Sequence, residues 1–307
     1  RGLASIASDI TPVLVPDGEK AKTMATMGKV HDALVQQGVD RKAVLVVVGG
    51  GVIGDLAGFA AASYLRGIRL VHVPTTVVAQ TDSAIGGKVG VNHRLGKNLL
   101  GAFHQPALVA VDPDALATLS RRELRAGLYE VVKYGVIASA ELFEQCVRTM
   151  PALLDGTPDA LLPVITTCCA IKADVVTKDE REDGLRRILN FGHTIGHALE
   201  AVTHYRLLRH GEAVAYGMRA ASAIAVARGT WSVGDDAALC AVLDGMGPLP
   251  AIGGLDVSAI LDATRRDKKV VAGALHFVLP TRIGDTTIVT DVDQRQVRLG
   301  LAAIGLG

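Results

Sequence analysis

KAVLVVVGGGVIGDLAGFAAASYL, residues 42–65, joins two structural periods through three glycines. Residues 42–48 are a continuous apolar run rich in valine, of the kind found in buried parallel strands. Gly49, Gly50 and Gly51 end it, and residues 52–65 follow with the composition of a buried helix. IRLVHVP (68–74) is the next strand-like run. Strand, glycine turn, helix and strand in this order make a βαβ unit. Outward from it, ITPVLVP (10–16) and ALVAVDP (107–113) read as further strands, and residues 17–38 as a helix closing at Gly38. GGKVGVNHRLGKN (86–98) reads as a loop. Residues 1–114 are expected to form an α/β domain built on a parallel sheet.

Beyond Asp114 the periodicity becomes helical. Residues 114–139, 141–154, 159–182, 192–204 and 210–229 all space their apolar positions as helices do, and 274–292 reads as a hairpin turning at Gly284 and Asp285. Residues 115–307 are therefore expected to be a mostly helical second domain. No internal repeat or low-complexity tract interrupts either half.

The chain has 307 residues with 49% apolar and 21% charged residues, ample for a buried core. Lys and Arg number 32 against 31 Asp and Glu, so the net charge of +1 gives no global attraction to nucleic acid or an anionic membrane. The longest apolar run, 43–54, is too short and too glycine-rich to span a bilayer, and no signal peptide is read. Cys146, Cys168, Cys169 and Cys240 lack CxxC or zinc-ribbon spacing and read as reduced thiols of a cytoplasmic protein.

Three local features carry chemistry. A glycine turn opening a helix lets backbone amides approach a phosphate, although VVVGGGVIGD is not GxGxxG and tight packing explains it equally well. Asp55, one turn into that helix, can orient a ribose or an amide, or simply meet the helix dipole. Between Gln80 and Asn98, Asp82, Lys88, Asn92, His93, Arg94, Lys97 and Asn98 form a set suited to an anionic, hydroxyl-rich ligand. In the helical half, Glu130, His193, His197 and His210 are candidate ligands of zinc or cobalt. His193 and His197 are four apart, one turn along one helix face, so spacing alone allows both, one or neither to hold an ion.

GGGVIGDLAGFAAASYLRG, VPTTVVAQTDSAIGGKVGVNH, LGKNLLGAFHQP, AGLYEVVKYG, RRILNFGHTIGHALE and HGEAVAYGM, in that order, closely resemble the 3-dehydroquinate synthase family of sugar phosphate cyclases. The likeness runs from PDGEKAKT to RRDKKVVAGALHFVLPTRIG. It implies an N-terminal NAD-binding Rossmann-like parallel-sheet domain followed by a mostly helical metal-binding domain. The family also has an earlier βαβ segment that contacts the adenosine ribose; nothing here matches it, so such a piece is expected to be missing from this chain.

Residue by residue, the resemblance assigns Glu130, His193 and His210 to one divalent metal, zinc or cobalt. It assigns Glu19, Lys22, Gly50, Gly51, Val52, Asp55, Thr75, Thr76 and Thr118 to NAD. Lys88, Lys133, Arg186, Asn190 and His197 are implied as catalytic. Asp82, Lys97, Asn98, Lys172 and one of Lys268 and Lys269 are implied to bind substrate. Arg66 is implied to reach the neighbouring subunit's phosphate site, hence a homodimer.

The implied reaction takes 3-deoxy-D-arabino-heptulosonate 7-phosphate to 3-dehydroquinate in the shikimate pathway. C5 is oxidised by NAD, phosphate leaves by elimination, the hydride returns, the ring opens and an aldol step closes the carbocycle. Sister cyclases acting on sedoheptulose 7-phosphate, such as the epi-valiolone synthases, are the nearest alternative. Lys172, Arg186 and Asn190 resemble the carboxylate-side set and favour the dehydroquinate reading. A metal-dependent polyol dehydrogenase and a catalytically dead binding protein are further alternatives. The former would use Asp in place of Glu130, and the latter has no reason to keep the whole polar set.

Overall fold

The computed structural model describes residues 9–268 and 276–307, which divide into two compact units, 1–115 and 116–307. In the first unit, helix α1 (Met24–Gln36) starts at Thr23, whose side chain accepts the Thr26 amide hydrogen. Strands β1 (Val44–Gly49), β2 (Arg69–Pro74) and β5 (Leu108–Val109) form a parallel sheet in the order β1-β2-β5. Helix α2 (Gly51–Ser63) crosses from β1 to β2 and buries Leu56, Ala57, Ala60 and Ala61 against Val47, Leu70 and Met27. This is the βαβ unit expected from the valine run and the glycine turn.

Three details of that unit differ from the sequence reading. Residues 10–16 form no strand: Pro12 and Pro16 lack the amide hydrogen a ladder needs, although Val13 and Val15 still pack on the core. Strand β1, an edge strand among the described residues, is not buried on both faces: Val47 is buried while Val44 and Val48 are exposed. The stretch read as a loop is an antiparallel hairpin, β3 (Lys88–His93) with β4 (Gly96–Phe103). Its polar residues concealed a strand whose Val89 and Val91 point inward at alternate positions and are buried.

The second unit contains α3 (Arg121–Ala138), α4 (Ala140–Leu154), α5 (Pro158–Lys178), α6 (His193–Val202), α7 (His210–Ala227), α8 (Val233–Gly245), α9 (Val257–Lys268) and α10 (Gln294–Ala303). The hairpin β6 (Phe277–Arg282) with β7 (Asp285–Val289) turns at the expected place. Helix α5 has the length and apolar composition of a membrane span. Here its Leu161, Val164, Ile165 and Cys168 are buried as it packs on α3 and α4, and Lys172 is buried with them.

Helix α7 is the centre of this unit and packs on α3, α6, α8, α10 and β6. Glycine permits the tightest crossings. A Cβ on Gly211 would stand 1.8 Å from the Ala126 carbonyl oxygen of α3, and one on Gly217 would stand 1.8 Å from the Gly192 carbonyl oxygen before α6. At the same end of α7, Glu212 is fully buried and accepts Arg122 Nε at 2.8 Å and Nη2 at 2.7 Å. Its Oε2 also accepts the Arg209 amide at 2.8 Å, capping the helix.

Candidate functional site

In the first unit, the glycine turn lies beside Thr76 and Ser83. A Cβ on Gly50 would approach Thr76 Cγ2 to 2.9 Å, and one on Gly51 would approach Ser83 Oγ to 2.8 Å. Side-chain packing therefore fixes these glycines, with the helix amides facing the end of the strand. Ser83 Oγ is buried without a hydrogen-bond partner among the described residues. The sequence reading passed over it, because a lone serine in the stretch QTDSA (80–84) has no signature of its own. Val52 is the second residue of α2, and the Thr75 amide donates to the Gly49 carbonyl at 3.0 Å.

A polar chain runs from this turn to the hairpin. Lys22, which is buried, places Nζ 2.5 Å from Asp55 Oδ2 and 2.5 Å from Asn98 Oδ1. Asn92 donates to Glu19 Oε1 at 2.7 Å and accepts the Asn98 amide at 3.0 Å, and Lys97 Nζ lies 3.7 Å from Glu19 Oε1. Asn98 adopts φ 54, the left-handed region in which asparagine is among the tolerated residues. Burial raises the Asp55 carboxyl above its usual range, opposed by Lys22. Glu19, Lys22, Asp55, Lys97 and Asn98 are thus brought together as one network. Asn92, expected in the polar set between Gln80 and Asn98 but assigned no role by the resemblance, links its two ends. Asp82 lies in a wide turn, Ala79–Ser83, and Lys88 begins β3 with its side chain exposed. Arg66 is exposed at the end of the turn after α2, with φ 68. Thr118 falls in the second unit, exposed in the turn before the α3 cap at Ser120.

The second unit assembles the metal candidates. Glu130, in the middle of α3, is buried, and neither of its carboxylate oxygens makes a hydrogen bond of ordinary geometry among the described residues. Lys133 Nζ stands 2.6 Å from Oε2 as an ion pair, so the contact is electrostatic. On the other side, His193 Nε2 is 3.7 Å and His210 Nε2 is 3.5 Å from Oε1. The Nδ1 atoms of both imidazoles are engaged elsewhere: His193 with the Phe191 carbonyl oxygen at 3.1 Å, His210 with Glu200 Oε2 at 3.1 Å. That leaves both Nε2 atoms as acceptors facing one carboxylate, the donor set of a divalent metal. Burial, then the charge of Lys133, pushes His193 well below the usual imidazole range, so it is neutral as a ligand must be.

His197 belongs to the same cluster. One ring nitrogen from each of His193, His197 and His210 lies within 4.8 Å of the other two, and the His197 ring centre is 5.3 Å and 5.9 Å from the other two rings. Its spacing from His193 follows from one helical turn of α6. Glu200, buried seven residues after His193 on the same helix, was missed in sequence. The only available signal was its recurrence on the His193 face.

Arg186 and Asn190 occupy the short turn Leu185–Asn190 that leads into α6. Asp179 holds this turn by accepting the amides of Asp183, Gly184 and Arg186, each at 2.9 Å, and these bonds pull its carboxyl below the usual range. Arg186 is buried and donates Nη1 to the Glu180 carbonyl at 2.5 Å, and Asn190 donates to Glu182 Oε1 at 2.8 Å. Lys172 is buried in α5. Of the two late lysines, Lys268 ends α9, and Lys269 lies outside the described residues.

Both halves of the chain match known proteins. Residues 12–126 match the profile of the 3-dehydroquinate synthase N-terminal domain, and residues 127–270 that of the C-terminal domain. A curated 3-dehydroquinate synthase from Nostoc punctiforme is 50% identical over 305 residues, covering 97% of this chain and 84% of the relative. The solved 2-epi-5-epi-valiolone synthase from Streptomyces hygroscopicus, with NAD+ and Zn2+ bound, superposes with a TM-score of 0.89 at 34% identity, over 95% of this chain and 81% of that one. A 2-deoxy-scyllo-inosose synthase complexed with carbaglucose-6-phosphate, NAD+ and Co2+ gives 0.82 at 30% identity, over 93% and 80%. With glycine turn, carboxylate and imidazoles in place and both halves matched by one family, this chain belongs to the 3-dehydroquinate synthase family.

Proposed function

We propose that this protein is a 3-dehydroquinate synthase, converting 3-deoxy-D-arabino-heptulosonate 7-phosphate to 3-dehydroquinate and phosphate in the shikimate pathway. The observation that carries the reading is Glu130: a buried carboxylate faced by two imidazole Nε2 atoms whose Nδ1 atoms are already engaged, in a chain half identical to curated synthases. Glu130, His193 and His210 would hold one zinc or cobalt ion, and that ion supplies Lewis acidity to neighbouring hydroxyl oxygens. The glycine turn, Glu19, Lys22, Val52, Asp55, Thr75, Thr76 and Thr118 would hold NAD, which would supply a reversible hydride acceptor.

The chain's own groups do the rest. Lys88, Lys97 and Asn98 bind the phosphate through ammonium and amide donors, assisted by Asp82. Lys133, with Nζ 2.6 Å from Glu130 Oε2, offsets part of the charge of that carboxylate. His197, beside the two ligand histidines, holds or passes a proton at an imidazole nitrogen. Lys172, Arg186 and Asn190 recognise the substrate carboxylate, joined by Lys268 or Lys269. Burying Lys172 and Arg186 costs desolvation, which an anionic substrate offsets. Arg66 acts across a homodimer, a reading supported by its exposed place at the tip after α2. The enzyme works in the cytoplasm, consistent with four cysteines outside any disulfide.

The test is substrate choice. With NAD and zinc, phosphate should be released from 3-deoxy-D-arabino-heptulosonate 7-phosphate and not from sedoheptulose 7-phosphate. Release from the second compound alone would assign the chain to the epi-valiolone type.

A further inference from the structure

Glu200 is seven residues after His193 and three after His197, so α6 carries two imidazoles and a carboxylate along one face. Its carboxylate is buried and reaches across to the first residue of α7, where Oε2 lies 3.1 Å from His210 Nδ1. The opposite ring nitrogen, Nε2, lies 3.5 Å from Glu130 Oε1. The two ligand imidazoles are therefore supported differently. His193 is buried and its Nδ1 meets a main-chain carbonyl. His210 stands at a helix start, its side chain is 37% exposed, and its Nδ1 meets a side-chain carboxyl group. A terminal, half-exposed imidazole has ring and rotamer freedom to lose, so the carboxylate has more to fix there.

We infer that Glu200 is a positioning residue of the metal centre: its carboxylate accepts the His210 Nδ1 hydrogen, aims Nε2 at Glu130, and strengthens that imidazole as a donor. This rests on the metal reading of Glu130, His193 and His210. The competing role is mechanical, a polar strut between α6 and α7 with no bearing on the ion. Metal affinity and ligand-field spectrum separate the two, because a strut alters stability without altering either.

The experiment loads the full chain with Co2+ or Zn2+ alone and measures dissociation constants by chelator competition. The visible Co2+ bands, the thermal midpoint of the metal-stripped protein and NAD affinity are recorded alongside. Glu200→Ala should weaken Co2+ by about 10- to 100-fold, and Glu200→Gln, which keeps the shape and loses the charge, by about 10-fold. Both should shift the Co2+ bands and leave NAD affinity at the parental value. If Glu200→Gln lowers the thermal midpoint, or leaves it unchanged, while binding Co2+ with the parental constant and bands, the inference is overturned. Should Glu200→Ala not fold, the isosteric Gln variant decides alone. If the parent itself binds no ion that His193→Ala abolishes, the metal reading falls and this inference falls with it.

Discussion

His193 and His197 share a helix face, yet their surroundings differ. His193 is locked through Phe191 with Nε2 turned toward Glu130, and His210 Nε2 faces the same carboxylate; on the proposed reading these three would hold the ion and leave coordination positions open. A fourth protein ligand would close one of them. His193→Ala should accordingly lose bound metal and activity together. His197→Ala should keep its metal by elemental analysis while turnover falls by about 100-fold or more, the scale of a lost proton-transfer group. A metal-free His197→Ala protein, purified where the parent is loaded, would make His197 a ligand. The sequence supplied the identities and the helical spacing here. It was silent on which nitrogens are engaged, because the partners, a main-chain carbonyl and Glu200, are set by how α6 and α7 pack. His72 offers a separate check at this scale. It is buried in β2, and burial, then His104, hold its imidazole below the usual range. The unfolded chain therefore takes up a proton that the folded chain refuses, so this contribution is intact above about pH 6.5 and lost as pH falls below it. Unfolding in urea at about pH 7.5 and about pH 5.5 should show a smaller acid loss for His72→Gln than for the parent; equal losses would contradict the assignment.

Elements are where the sequence reading succeeded and failed for identifiable reasons. The valine run, glycine turn and alanine-rich helix declared β1 and α2 because period and breaker agreed. Residues 10–16 imitated a strand, but two prolines removed the ladder donors. Residues 86–98 imitated a loop because polar side chains alternate with Val89 and Val91, and only pairing with 96–103 reveals the pleat. The α3–α7 crossing was not legible at all, since it depends on Gly211 meeting the Ala126 carbonyl and on the buried Glu212. Arg122→Ala should remove the two guanidinium bonds that satisfy Glu212 and lower the unfolding free energy by about 3 kcal/mol, the lower end for a broken buried pair because the guanidinium partly reaches water. Chemical denaturation measures it, and a loss within error of zero would show that Arg125, 3.9 Å from Glu212, suffices.

On the scale of the whole molecule, two units that were largely readable as α/β and α carry different polar sets: a glycine turn with a lysine and asparagine network in one, a buried carboxylate faced by imidazoles in the other, which the proposed function assigns to NAD and to the metal. The near-neutral net charge conceals this, because the relevant cations are local and several, including Lys22, Lys133, Lys172 and Arg186, are buried. The central claim is that redox chemistry here is transient and serves elimination. The most direct measurement follows inorganic phosphate, 3-dehydroquinate and NADH absorbance together in one reaction with 3-deoxy-D-arabino-heptulosonate 7-phosphate, NAD and zinc. The account predicts phosphate and 3-dehydroquinate rising in equal amounts with no net NADH; NADH accumulating in step with substrate consumed, without phosphate, would contradict it.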